Sequence, residues 1–363
     1  MPRCRGLSAE AVSGAPRFEN KASRLVATVR CCLAFARETA VGMHFLLREE
    51  VMREKVDGRR LQKGDLEMNK RSKEIHRQGS RTASGVAKKR TMEGRGAERA
   101  GVPTLLGIPF DAQSSYLRGA AEAPGKIREA LACDASNQWT ETGVDLGVDG
   151  CYADAGDLEL LEQDALAAIE RGVGELIDRD KRPMSLGGDH SITFPIIKAV
   201  AKKYPELTIF HFDAHPDLYD EFEGNRWSHA CPFARIMESG LAKRLVQIGI
   251  RTINEHQREQ AKRFGVEVIE MRELPAYMRL KGEGPVYISF DMDVLDPGCA
   301  PGISHREPGG MSVREAIAHL HSIEGEIVGA DVVEYNPVRD VSGMTATVAA
   351  KILKEILGRM ISR

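Results

Sequence analysis

From residue 102 to the C-terminus, short apolar runs alternate with amphipathic stretches. Residues 102–108 read as a strand. Ala123–Leu131 reads as a helix with Pro124 in its first turn. Residues 161–178 carry apolar positions at helical spacing, 184–186 form a short strand ending in Gly187-Gly188, and 192–204 are helical again. Further strands are expected at 207–212, 245–250, 266–269, 286–290 and 327–333, with helices between them, including 313–321 and 345–362. Strand–helix alternation of this kind predicts an α/β fold with a mostly parallel central sheet covered on both faces.

The first hundred residues follow no such pattern. Apolar residues gather at 25–35 and 43–51, and from Arg53 to Ala100 the text is almost continuously polar or charged. Charge separates the two parts: residues 1–100 hold 23 Lys+Arg against 12 Asp+Glu (+11), and residues 101–363 hold 28 against 41 (−13), giving the overall −2. Residues 1–101 are therefore read as a basic, poorly ordered extension, and 102–363 as the folded body. For the extension the simplest reading is an untidy leader, with Met68 or Met92 as a natural start. Two others remain: a targeting peptide, because residues 1–37 are rich in Arg, Ser and Ala and poor in acids, and a phosphate-attracting tail, which would make the protein a nucleic-acid binder.

No run of about 18 apolar residues occurs, so no transmembrane helix is expected. The seven cysteines (Cys4, Cys31, Cys32, Cys133, Cys151, Cys231 and Cys299) are odd in number, scattered and without a Cys-x-x-Cys. That argues against a disulfide framework and a thiolate zinc site, and for a reducing compartment. The expected location is the cytoplasm, or the mitochondrion if the N-terminal segment targets the chain there.

Candidate chemistry follows the apolar runs. Gly187-Gly188-Asp189-His190-Ser191 follows one, Asp213-Ala214-His215-Pro216-Asp217 a second, Asp291-Met292-Asp293 a third, and Glu334-Tyr335-Asn336-Pro337 a fourth. In an open parallel sheet all carboxyl ends lie on one edge, where ligands bind. Asp213, His215 and Asp217 are spaced i, i+2, i+4, and Asp291 and Asp293 i, i+2, so that an extended chain points each group to one side. With His190 they make four carboxylates and two imidazoles. That set suits Mn²⁺, or Fe²⁺, Co²⁺ or Zn²⁺, and six ligands fit two metal ions sharing bridging carboxylates better than one zinc. Any one of these acids alone is as well explained as a helix cap or solvated loop. Clustered together they repel and call for cations.

These four motifs, with Ser-Phe-Asp-Met-Asp-Val-Leu-Asp-Pro and Asp-Val-Val-Glu-Tyr-Asn-Pro written in full, resemble the signatures of the ureohydrolase family, which contains arginase and agmatinase. The similarity covers about residues 102–363. The stretch 213–249, with Phe222-Glu223-Gly224-Asn225 and Ser228-His229-Ala230, is most like the plant arginase branch, itself more like agmatinases than animal arginases. The resemblance implies a three-layer α/β/α domain with two manganese ions per subunit. His190, Asp213, Asp217 and Asp291 would hold one, and His215, Asp213, Asp291 and Asp293 the other, with Asp213 and Asp291 bridging. It also implies a homo-oligomer, trimer or hexamer, acting on a small guanidino substrate to release urea and a primary amine.

Within that expectation Asp217 orients the attacking hydroxide, His229 carries protons, and Glu334 pairs with the substrate guanidinium. Asn225 and Ser228 could hold a substrate carboxylate, or could equally order their loop. His305, in an expected rim loop, is a further substrate contact. His211 is expected beneath the site, His319 and His321 on a helix surface, and Cys231 and Cys299 near the mouth. Agmatine leads as substrate, with arginine as the alternative and guanidinobutyrate or formiminoglutamate more distant. A single-zinc deacetylase is disfavoured by the six-ligand set and by Gly-Gly-Asp-His. A structural oligomer with a dead metal site is disfavoured because no expected ligand is missing.

Overall fold

The computed structural model describes residues 101–362; the expectations for the first hundred residues lie outside them. Ten strands and seven α-helices are described: β1 Pro103–Gly107, α1 Ala123–Leu131, β2 Ala153–Asp157, α2 Ala165–Asp178, β3 Arg182–Leu186, α3 Thr193–Lys203, β4 Thr208–Phe212, α4 Pro232–Glu238, β5 Arg244–Ile250, α5 Glu255–Phe264, β6 Glu267–Glu270, β7 Leu280–Lys281, β8 Val286–Asp291, α6 Val313–His321, β9 Ile323–Glu324, β10 Ile327–Val333 and α7 Met344–Ile361. Eight strands form one sheet in the order β2-β1-β3-β10-β8-β4-β5-β6, every pair parallel. β7 and β9 pair by themselves.

The strands bury both faces, and alternate residues go to opposite sides. Leu105, Phe210, Val246 and Ile288 pack with Ile127 of α1, Ile317 of α6 and Ile356 of α7. Leu106, Ile209, Leu245 and Tyr287 pack with Ile169 of α2, Ile196 of α3, Phe233 of α4 and Ala261 of α5. That is the expected three-layer α/β/α arrangement. Truncating one of these fully buried isoleucines to alanine is expected to cost about 2–5 kcal/mol.

The missed elements explain themselves. All five residues of β2, Ala-Asp-Ala-Gly-Asp, are exposed, so no apolar run announces the strand. Arg128 of α1 pins it instead, donating to Asp154 (2.8 Å) and Asp157 (2.5 Å). Of residues 161–164, expected in the helix of α2, Leu161 is extended and Glu162–Asp164 form a 3-10 turn before it. Capping boxes at Asn254–Gln257 and Ser312–Glu315 start α5 and α6.

One side-chain expectation fails. His319 is buried rather than at a helix surface, and neither ring nitrogen has a hydrogen-bond partner among the described residues. His321 turns to Glu355, with Nε2 to Oε2 at 2.9 Å. Cys231 is buried and its thiol is pushed up to about 12 by that burial.

Candidate metal centre

The four motif-bearing strands, β3, β10, β8 and β4, are adjacent in the middle of the sheet. Their carboxyl ends therefore deliver His190, Glu334, Asp291 and Asp213 side by side. The residues that the spacing argument singled out do come together here, but not along one face of a strand. β4 ends at Phe212, and Asp213–Asp217 is not extended: Asp217 has φ of 50°. Asp293 sits in a 3-10 turn, and its own amide donates to the Asp291 side chain. Turns after strands, not one face of a strand, gather these acids. Gly188 is required here, because a Cβ on it would meet the Phe110 carbonyl oxygen at 1.7 Å.

His190 carries the sharpest signal. Ser289 Oγ donates to Asp331 (2.7 Å), so it accepts from His190 Nε2–H at 3.0 Å. The Nδ1 lone pair then faces inward, 3.1 Å from an oxygen of each of Asp213, Asp217 and Asp291. None of the three contacts is a hydrogen bond in geometry, and the atom is buried without a partner. A lone pair and three carboxylate oxygens converging on one point is an arrangement of ligands around a cation. Burial opposes a charge on His190, but the three carboxylates outweigh it and hold its pKa well above the ordinary range. A proton at Nδ1 and a metal ion compete for the same place.

The second half of the set lies beside it. His215 Nδ1 is 2.9 Å from Asp293 Oδ2 and 3.5 Å from Asp213 Oδ1. Asp213 is thus shared between the halves. His211 lies beneath: Gln247 Nε2 donates to its Nδ1 (3.0 Å), its Nε2–H donates to Asp213 Oδ2 (2.7 Å), and its ring stacks on Phe233. Asp291 is raised well above the carboxylate range by burial, then by Asp293 and Asp213. Asp293 is also raised, chiefly by burial. Asp213 goes down despite burial because His211, His190 and His215 surround it. The donor set fits divalent cations.

A cavity of about 260 Å³ opens above these groups, lined by His215, Asp217, Asp291 and Asp293 on one side and by Ser115, His229, His305 and Glu334 on another. His229 is held at both nitrogens, Nδ1 to Glu334 Oε1 and Nε2 to Ser115 Oγ, each at 2.8 Å. Burial opposes its charge, but Glu334 prevails and lifts its pKa to about 9. Glu334 has φ of 61°, and its Oε1 also accepts from the His190 amide (2.9 Å). Two site carboxylates thus sit in the left-handed region, which costs non-glycine residues on the order of 1–3 kcal/mol.

Asn225 and Ser228 do not line this cavity. The Asn225 amide donates to Gln113 Oε1 (2.6 Å), and Ser228 is buried with its Oγ accepting from Ala230 N (3.3 Å). Sequence reasoning missed Ser115, Gln113, Asp189 and Asp331. Asp189, fully buried and raised to about 6 by burial and then Glu334, accepts from Gln113 N and from Ser191. Only its position beside His190 could have flagged it.

An α/β/α layering, with a cluster of acids and imidazoles at the carboxyl ends of the central strands, defines a metal-dependent hydrolase. The chain belongs to the Arginase family, which matches residues 103–358, and acts on guanidino or amidine C–N bonds. It is 49% identical to Arginase 1, mitochondrial, from Arabidopsis thaliana over 275 residues, covering 71% of this chain and 80% of that one. It is 36% identical to an agmatinase from Bacillus subtilis over 264 residues, 70% and 90% of the two chains. Among solved structures it resembles an arginase from Medicago truncatula, with a TM-score of 0.70 and 48% identity over 72% of this chain and 88% of that one.

Proposed function

We propose that this chain hydrolyses L-arginine to L-ornithine and urea. The observation that carries the substrate is the greater likeness to plant arginases, at 47–49% identity, than to bacterial agmatinases at 36%. The expectation of agmatine as first substrate therefore gives way to arginine, with agmatine as the second reading.

In this proposal His190, Asp213, Asp217 and Asp291 hold one Mn²⁺, and His215, Asp213, Asp291 and Asp293 the other. Bound there, the two ions lower the pKa of a water and supply hydroxide near neutral pH. Glu334 places a carboxylate where it can pair with the planar guanidinium. His229, charged at neutral pH through Glu334, donates a proton to the leaving amine, and Ser115 fixes the ring from the other side. Asp217 accepts a hydrogen bond from the nucleophile. Asn225 and Ser228 order the loop that carries His229, one of the two roles the sequence leaves open for them. A mitochondrial location accords with the names of the plant relatives and with the Arg-rich residues 1–37, and a trimer or hexamer is the expected assembly.

Urea release by the manganese-loaded full chain, with L-arginine and agmatine in parallel, tests the substrate. The expected result favours arginine in kcat/KM by at least about tenfold, which is about 1.4 kcal/mol. A tenfold preference for agmatine would overturn it.

A further inference from the structure

Beside the acid-rich set, the same cavity presents a second group of donors with a different character. His229, His305 and Glu334 each offer one ligand atom, and the three atoms lie within 4.8 Å of one another. None of them belongs to the six-residue set. They come from three separate segments: the loop before α4, the loop before α6 and the turn after β10. His229 and Glu334 are buried, His305 is half-buried, and all three line the cavity. The His229 and His305 rings are 5.1 Å apart between centroids.

Two imidazoles and one carboxylate make a ligand set typical of zinc with an open position, whereas an oxygen-rich set suits manganese. Tetrahedral Zn²⁺ holds its nitrogen and oxygen ligands at about 2.0–2.2 Å, so the three groups must draw together around the ion, and His305 is the most exposed of them. The cavity supplies the fourth position to water. The contact between His229 Nδ1 and Glu334 Oε1, 2.8 Å, is a hydrogen bond that holds one proton between them. Metal ions displace such protons, because imidazole and carboxylate bind metal only when deprotonated.

We propose that His229, His305 and Glu334 form an accessory divalent-cation site selective for Zn²⁺ over Mn²⁺, and that filling it stops turnover. The zinc takes the nitrogen that would carry the proton and the carboxylate that would face the guanidinium. Zinc and substrate then exclude one another, and each weakens the other's binding by the same factor. The inhibitory half of this rests on the proposed reaction; the binding half does not.

The full chain, loaded with Mn²⁺ and freed of excess ion, is titrated with ZnCl₂ by equilibrium dialysis with elemental analysis. The expected result is about one zinc ion taken up per chain with manganese content unchanged. His305→Ala should weaken that uptake by at least about tenfold while keeping its manganese, and His305→Cys, which restores a zinc ligand, should recover it. Zinc uptake matched by manganese loss, or unaltered uptake in His305→Ala, would overturn the site. In a second arm, L-arginine should weaken zinc uptake. Uptake that ignores arginine, in a chain that does hydrolyse arginine, would overturn the inhibition alone. A chain inactive on arginine that still takes up the zinc would count against the substrate reading and leave the site standing.

Discussion

Glu355, on α7, and Asp291, at the end of β8, are both carboxylates hidden from solvent. Glu355 is surrounded by donors: Lys351 Nζ (2.5 Å), His321 Nε2 (2.9 Å) and the Glu141 amide (3.1 Å). Burial works against its charge, but these partners keep its pKa below the usual range. Asp291 is surrounded mainly by other acids, accepts the Asp293 amide (2.7 Å), and is pushed well up. The first acid is satisfied by the chain itself. The second is left short of positive charge by the chain, and a proton or a cation must complete it. The difference separates an acid that the chain satisfies from one that is suited to serve as a ligand.

The His229–Glu334 pair tests that distinction most severely, because it is partnered like Glu355 yet lines the cavity. His229→Asn is expected to lower kcat by about 10²–10⁴-fold with metal content unchanged. If instead stability falls and kcat survives, the pair is structural. Glu355→Gln removes the charge that Lys351 and His321 answer, and should destabilise the chain by about 2 kcal/mol in urea unfolding. Asp291→Asn should do the reverse in metal-free protein, stabilising it by about 1 kcal/mol, or about 2–4 °C in Tm, while reducing manganese retention. Equal signs for the two substitutions would erase the contrast.

The smallest effect concerns Glu141, whose carboxyl is lowered to about 2 by Arg314, against the opposition of burial and with help from Lys351. A depressed folded pKa adds stability above the unfolded value of about 4.3 and loses it as pH falls toward the folded one. The Glu141 side chain is 33% exposed and that of Arg314 69%, so solvent screening keeps the gain on the order of 0.5 kcal/mol. The stability gap between wild type and Glu141→Gln should be constant near pH 6–7 and narrow below about pH 5.

The layered fold was legible because its central strands are apolar on both faces, as at Thr208–Phe212 and Val286–Asp291. β2 was not, since a polar edge strand held by Arg128 leaves no trace in hydropathy. The acids and histidines of the candidate metal set could be named because each lies at, or within five residues of, the carboxyl end of a central strand. Ser115, Gln113 and Asp331 could not: they act across more than forty positions of chain, through Ser115 on His229, Asn225 on Gln113 and Ser289 on Asp331. His319 misled because polarity was taken for exposure, and the helix turns that residue inward.

Thermal unfolding of the full chain with and without Mn²⁺, paired with elemental analysis, tests the central claim that cations complete the acidic cluster. The account predicts about two manganese ions retained per chain and a stabilisation of about 2.7 kcal/mol for each site at a hundredfold excess over Kd. An unchanged Tm with no retained metal would contradict it.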